Sequence, residues 1–305
     1  MAVRIGVLGQ GAWGRTLAAL LQRQGHEVGV WSRRDRTDPL SLLHQQELIV
    51  CAVAMAGVPS LAQRLAPAWP DGLPLVSGSK GIDLDQLCTA SQLWERNIPQ
   101  LQCVVLSGPN LADELNRGLP AASVLASSHQ ALANRLQRVL SSESFRLYTN
   151  SDPIGTELAA ALKNVMAVAA GICDGLCLGA NAKASLLTRG LAEMGRLCAA
   201  MGGDPATLFG LAGLGDLLAT ANSPLSRNYR FGLLMAEGMT AEAALRRIEA
   251  TVEGAVTAEA ALALARRGGW TLPICEQVVA LIQGRSSPAA VVRALMERDL
   301  KREKP

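Results

Sequence analysis

The chain has 305 residues, 49% of them apolar, so it is long enough to bury a sizeable core in one large or two ordinary domains and is not a disordered chain. A net charge of +3, with only five Trp, three Phe and two Tyr, argues against a nucleic-acid partner or an anionic membrane surface. Seven scattered Cys with no CxxC pair suit a reducing compartment rather than a disulfide framework or a zinc site, and no metal is expected. A strand pattern opens by Val3 and leaves no room for a signal peptide. The longest apolar run, Leu48 to Val58, is too short to cross a bilayer. A cytoplasmic protein without membrane insertion is the expectation.

Val3 to Leu8 reads as a strand buried on both faces. It enters Gly9-Gln10-Gly11-Ala12-Trp13-Gly14, then a helical pattern from Arg15 to Gln24 and a second strand from His26 to Trp31. This is a GxGxxG fingerprint in strand–turn–helix context. Gly9 permits the tight turn, Gly11 lets backbone approach a pyrophosphate, and Gly14 allows close helix packing, while the helix start offers free N–H groups. After the second strand an acid would grip a ribose 2′-hydroxyl, whereas Arg accommodates a 2′-phosphate. Here the residues are Ser32-Arg33-Arg34, with Asp35 only after them. Either this is a solvated basic loop or it favours NADP(H) over NAD(H); the second reading is preferred.

A polar stretch from Asp35 to Glu47 precedes a strand, Leu48 to Val53, and a helix, Val58 to Ala68. A brief strand at Leu75-Val76 runs into Ser77-Gly78-Ser79-Lys80-Gly81, where Lys80 is either an ordinary loop lysine or a ligand-facing one at a strand end. The strand Cys103 to Leu106 ends in Ser107-Gly108-Pro109-Asn110, with Asn110 placed to cap a helix from Leu111 to Arg117. Strands at Ala122 to Leu125 and Phe145 to Tyr148 flank a helix from Gln130 to Leu140. Strands alternating with helices predict a Rossmann-like, doubly wound α/β sheet over residues 1–152.

Beyond Asp152 the pattern is helical, which predicts an all-α C-terminal domain over 153–305. Segments run from Ile154 to Ile172, Ala182 to Met201, Asn228 to Glu237, Thr240 to Ile248, Ala255 to Arg267, Leu272 to Gln283 and Pro288 to Leu295. The first is apolar almost all round, yet holds Lys163 and Asn164, with Glu157 upstream. A lysine there either snorkels to water or has a chemical task, and the apolar register leaves little polar face for snorkelling. Three polar spots follow: Asp216 behind a Gly-rich approach from Gly210, Ser226-Arg227-Asn228 at a helix start suited to phosphate or carboxylate, and Glu253 before Gly254.

Taken with GxGxWG and SKG, the runs SGPNLADE, ALKNVMAVAAGICDGLCLGANAKASLLTRGLAEMGRL, FGLAGLGDLLAT, SRNYRFG and VEG closely resemble the bacterial NAD(P)-dependent sn-glycerol-3-phosphate dehydrogenase family. The likeness covers nearly the whole chain and is densest from Ser107 to Gly238. It implies interconversion of dihydroxyacetone phosphate and sn-glycerol 3-phosphate, which supplies the backbone of phospholipids. It also implies that Lys163 is the proton donor and acceptor, and that Lys80, Gly108, Asn110, Asp216, Ser226, Arg227 and Asn228 line the substrate site. Ala12, Trp13, Arg33, Arg34, Lys80, Ala112, Arg227, Val252 and Glu253 would then touch the cofactor. One departure bears on cofactor affinity: between Arg34 and Leu48 the family usually carries a longer segment with an extra helix, so the wall near the adenosine end is shorter here.

The residues alone support ketone reduction. An apolar helix and a second cation such as Lys80 would both push the Lys163 ammonium toward neutrality, where a general acid or base works best. Three other readings are a two-domain hydroxyacid or ketopantoate-type reductase, a non-catalytic NADP-sensing module, and a structural or interaction protein, the last disfavoured by the number of polar residues inside an apolar half. The Ser226-Arg227-Asn228 triplet favours a small phosphate substrate over a carboxylate. Helical second domains of this kind often pair, so a homodimer is compatible with the sequence.

Overall fold

The computed structural model describes residues 2–298 and 302. The extreme ends of the two expected domains, residue 1 and residues 299–301 and 303–305, lie outside them.

Seven strands form one sheet: β1 (Arg4–Leu8), β2 (Glu27–Trp31), β3 (Leu48–Cys51), β4 (Leu75–Ser77), β5 (Cys103–Ser107), β6 (Ala121–Ala126) and β7 (Phe145–Asn150), in the order 2-1-3-4-5-6-7. The strand order reverses at β1, with β2 on one side and β3 on the other, so the crevice at their carboxyl ends is the switch point where open α/β sheets bind ligands. β1, β3 and β4 are almost wholly apolar and buried because helices cover both faces. Those helices are α1 (Ala12–Arg23), α2 (Leu40–Leu43), α3 (Val58–Leu65), α4 (Ala90–Asn97), α5 (Ala112–Asn116) and α6 (Gln130–Leu140).

One pairing departs from a simple doubly wound sheet. β5 and β6 are antiparallel, with Ser107 opposite Val124 and Val105 opposite Ala126. The connector explains it. α5 has five residues and rises about 7 Å, short of the roughly 16 Å of a five-residue strand. The chain therefore turns back at the carboxyl edge. α6, with eleven residues, is long enough to return along the sheet, and β6 and β7 are parallel.

From Pro153 every regular element among the described residues is helical: α7 (Pro153–Gly175), α8 (Gly179–Ala200), α9 (Asp216–Ala221), α10 (Arg227–Ala236), α11 (Ala241–Ile248), α12 (Glu253–Gly268), α13 (Pro273–Ile282) and α14 (Pro288–Met296). α7 is the axis of this half. Asp152 caps it by accepting from the Gly155 N–H at 2.8 Å, Pro153 sits in its first turn, and every residue from Gly155 to Cys173 is buried. It is packed by α8, α9, α10, α12 and α13, and it touches β5. At the α7–α10 crossing the backbones meet: a Cβ on Gly171 would stand 2.1 Å from the Tyr229 carbonyl oxygen, and one on Gly232 2.1 Å from that of Val168. By length and composition α7 is able to cross a membrane, a segment longer than the Leu48 run, but 83% of its apolar window is buried inside the fold. It is a core helix.

The periodic pattern of the sequence does not signal α2, α4 or α9. α2 forms within the stretch expected to be merely polar, and α4 follows the Lys80 loop. Asn110 also behaves differently from expectation. The N-cap of α5 is Leu111, without a side-chain cap, and Asn110 Oδ1 instead accepts from the Ser123 hydroxyl at 2.6 Å, because the antiparallel β6 brings Ser123 alongside.

Candidate active site

The glycine turn after β1 is held by sterics. Gly9 has φ +111°, and a Cβ there would stand 2.9 Å from the Ala52 carbonyl oxygen at the end of β3. A Cβ on Gly14 would stand 1.9 Å from the Gly9 carbonyl oxygen, so α1 presses onto its own entry turn. Gly11 is the N-cap of α1, offers no capping side chain, and has open space where a Cβ would be. The first-turn amides are thus bare toward an approaching anion, which fits a dinucleotide pyrophosphate.

Beyond β2, Arg33 and Arg34 are exposed. Asp35 is turned back on its own loop, its carboxylate accepting from the Ser32 N–H at 2.7 Å. The acid that follows β2 is therefore spent on the turn, while both arginines remain at the surface. Ala12 is exposed, and Trp13 lies against Gly78, with its indole N–H buried and unpartnered among the described residues. Gly78 precedes Lys80 by two residues, so the glycine turn and the lysine loop share a wall.

Three segments converge on one carboxylate. Lys163, from the middle of α7, places Nζ 3.0 Å from Asp216 Oδ1. Lys80, from the β4–α4 loop, places Nζ 2.6 Å from Asp216 Oδ2 and donates to the Gly108 carbonyl oxygen at 3.4 Å. Asp216 and Thr220 are four apart on α9 and share a face; Thr220 accepts from Lys163 Nζ at 2.7 Å and donates to Asp216 Oδ1 at 3.1 Å. Lys163 is 7% exposed and Asp216 2%. Burial pulls the Lys163 ammonium down to about 8, and the Lys80 charge pushes the same way against the pull of Asp216. Burial alone would raise the Asp216 carboxyl, but the two ammonium groups outweigh it and hold it below the usual range. An ammonium has three donors, of which Asp216 and Thr220 take two, leaving the third for a substrate oxygen.

A second cluster adjoins the first through Asn164. Its Oδ1 accepts from Asn228 Nδ2 at 2.8 Å, and Asn228 Oδ1 accepts from the Gly254 N–H at 2.9 Å. Asn228 is thereby tied into the packing of α7, α10 and α12. Ser226 caps α10, accepting from the Tyr229 N–H at 3.2 Å, and Arg227, in the first turn, is exposed. Val252 is buried at the N-cap of α12, followed by Glu253. Glu253 Oε2 accepts from Asn164 Nδ2 at 3.5 Å, and burial raises its carboxyl, offset in part by the charges of Arg227, Lys80 and Lys163. Gly108 lies against Ser123, Ala112 opens α5, and the Asn110 amide nitrogen is buried without a partner among the described residues.

Thr220 was missed by the sequence reading. Its signal was the four-residue spacing from Asp216, legible only once that stretch is known to be helical. A cleft of about 960 Å³ lies elsewhere, below the amino ends of β1 and β3 between the last turns of α1 and α6, lined by Val3, Arg23, His26, Glu47, Arg135 and Arg138. It holds none of the groups gathered on Asp216.

A dinucleotide turn sharing a wall with the Lys80 loop, which meets the buried Lys163 ammonium on Asp216, is the equipment of a nicotinamide-dependent, carbonyl-reducing dehydrogenase. Comparison with known proteins narrows the class. The family models for the NAD-dependent glycerol-3-phosphate dehydrogenase N-terminus and C-terminus match residues 4–39 with 35–133, and 152–293. A glycerol-3-phosphate dehydrogenase (NAD(P)+) of Synechococcus sp. (strain RCC307) is 57% identical over 99% of this chain and 100% of its own length. One from Synechocystis sp. (strain ATCC 27184 / PCC 6803 / Kazusa) is 47% identical over 97% of this chain and 94% of its own. The crystal structure of glycerol-3-phosphate dehydrogenase from Coxiella burnetii superposes with a TM-score of 0.94 at 34% identity, covering 97% of this chain and 99% of that one. The chain belongs to the NAD(P)-dependent glycerol-3-phosphate dehydrogenase family. A ketopantoate reductase from Ralstonia eutropha JMP134, at TM-score 0.60 and 13% identity, shares the fold alone.

Proposed function

We propose that this enzyme interconverts dihydroxyacetone phosphate and sn-glycerol 3-phosphate using NADP(H) or NAD(H), with Lys163 as the proton donor and acceptor. The observation that carries the reading is the buried Lys163 ammonium, fixed by Asp216 and Thr220 and brought down to about 8. When bound, the nicotinamide supplies the hydride. In reduction, Lys163 polarises the ketone oxygen and gives it a proton; in oxidation, the neutral amine takes the proton from the hydroxyl. Asp216 holds Lys163 and Lys80 in register, so the alkoxide forms facing two positive charges. Arg227 and the free amides at the start of α10 seat the phosphate, with Ser226 and Asn228 fixing that helix start. Lys80, Gly108 and Asn110 complete the substrate side, the unpartnered Asn110 amide nitrogen serving as a donor.

The cofactor would rest on Gly9, Gly11, Ala12, Trp13 and Gly14, with Arg33 and Arg34 at a 2′-phosphate, and Ala112, Val252 and Glu253 beside it. In this reading residues 1–152 hold the cofactor and 153–305 the substrate. A cytoplasmic location is in keeping with seven unpaired thiols, six of them buried. Exposed Phe209, Leu218 and Leu225 on the helical half offer a homodimer contact, which light scattering of the purified protein tests. The deciding experiment follows NADPH oxidation with dihydroxyacetone phosphate in wild type and Lys163→Ala. The variant should lose orders of magnitude in kcat while still binding NADPH, and near-normal turnover would remove Lys163 from the reaction.

A further inference from the structure

Glu157 is 3% exposed, and the chemistry above does not use it. It lies six residues before Lys163 on α7, about 9 Å along the axis and about 120° round it, so it faces a different neighbour. That neighbour is the start of α4: one carboxylate oxygen accepts from the Ser91 N–H at 2.9 Å and the other from the Ser91 hydroxyl at 2.5 Å. Ser91 is the second residue of α4, which is capped by Thr89 in a reciprocal box with Gln92. The segment before it is closed on itself. Ile82 bridges Thr89, the Asp83 N–H donates to the Cys88 carbonyl oxygen at 2.9 Å, and the Gln86 N–H to the Asp83 carboxylate at 2.8 Å. Lys80 stands two residues before Ile82. A tied path thus runs from α7 through Glu157, Ser91, Thr89 and Ile82 to Lys80, and returns through Asp216 to Lys163 on α7.

A buried carboxylate is an expensive way to join two layers, and apolar packing would do so without direction. Two hydrogen bonds to one residue fix both the rotation of α7 and its axial depth. We propose that Glu157 is a positioning residue for the reaction, locking α7 to the Lys80 segment so that Lys163 and Lys80 meet on Asp216 at the observed separation. The proposal rests on Lys163 as the proton donor.

The test compares Glu157→Ala, Glu157→Gln and Ser91→Ala with wild type and Lys163→Ala, using pH profiles of ketone reduction. The Lys80 charge lowers Lys163, so a loosened loop lets Lys163 rise and moves the alkaline fall in rate to higher pH. Glu157→Ala should lose about tenfold to a hundredfold in kcat with KM for NADPH unchanged and that limb shifted upward. Ser91→Ala keeps one bond and should move the same way by less. Gln accepts from the Ser91 N–H and donates to its hydroxyl, so Glu157→Gln should stay within about threefold of wild type. A wild-type rate and limb in Glu157→Ala, or in Ser91→Ala where the former does not fold, overturns the proposal, as does equal damage from Gln and Ala. A Lys163→Ala enzyme that turns over normally overturns the proton-donor reading instead.

Discussion

Asp216→Asn keeps the side chain's shape and removes the charge that two enclosed ammonium groups share. Its carboxylate lies 3.0 Å from Lys163 Nζ and 2.6 Å from Lys80 Nζ. At an effective dielectric of about 20, each contact amounts to about 5–6 kcal/mol of attraction. Desolvation offsets much of it, and breaking a buried pair by removing one partner costs about 3–5 kcal/mol. Without Asp216, Lys163 faces Lys80 with no counter-charge and sheds its proton more readily, so it titrates below the wild-type value of about 8. The sign for stability follows. Unfolded lysine titrates near 10.5, and a group depressed in the folded state penalises folding most below its folded value. That penalty is relieved as pH rises from the folded value toward the unfolded one. The stability deficit of Asp216→Asn in urea denaturation should therefore be larger at pH 6 than at pH 9. The alkaline limb of ketone reduction should also move to lower pH. A limb that stays in place, or a deficit equal at both pH values, would refute the shared-carboxylate account.

Three further outcomes follow from separate features. Gly232→Ala forces a methyl onto the Val168 carbonyl oxygen and spreads the α7–α10 crossing, so it should lower stability by about 1–3 kcal/mol and raise KM for dihydroxyacetone phosphate, seen in thermal melts and initial rates. Replacing Arg33 and Arg34 by Ala should reduce kcat/KM for NADPH about tenfold while sparing NADH, since only the former carries the 2′-phosphate; equal losses would remove the arginines from cofactor choice. Burial raises the Glu157 carboxyl to about 7, despite the Ser91 bonds and with Glu95 adding to the rise, so its contribution is fully present below 4.5 and lost as pH climbs through about 7. Glu157→Gln escapes that loss and should be more stable than wild type at pH 8 but not at pH 5, by chemical denaturation.

The parts of the site that depend on local pattern were legible in the residues. The glycine turn announces itself because strand, turn and helix adjoin in sequence. The burial of Lys163 follows from the apolar residues on every side of its helix, and the Ser226 cap from its place before a helical run. What depends on long-range convergence was not legible. Lys80 and Asp216 are 136 positions apart, and only the fold makes them partners. Asn110 reads as a cap because it directly precedes a helical run, whereas its actual partner, Ser123, depends on the reversed direction of β6. α4 was missed because its sequence, ASQLWERN, has a mixed pattern, with Leu93 and Trp94 adjacent and both buried. The Thr89-x-x-Gln92 capping box before them was the available signal. The π-type turn Leu211–Gly215 and α9 were hidden by the glycines of the approach to Asp216, which read as loop.

The burial of α7 also shapes how the chain is made. The helices packed on it begin at Gly179 and end at Ile282, all later in synthesis. At about 5–20 residues per second, that cover takes on the order of ten seconds to arrive. Meanwhile the emerging polypeptide displays a greasy segment long enough to be mistaken for a bilayer anchor. The nascent protein must shelter that segment against the finished sheet or a ribosome-bound chaperone, so slowing translation beyond Gly175 should raise mistargeting and aggregation before it affects the activity of molecules already complete.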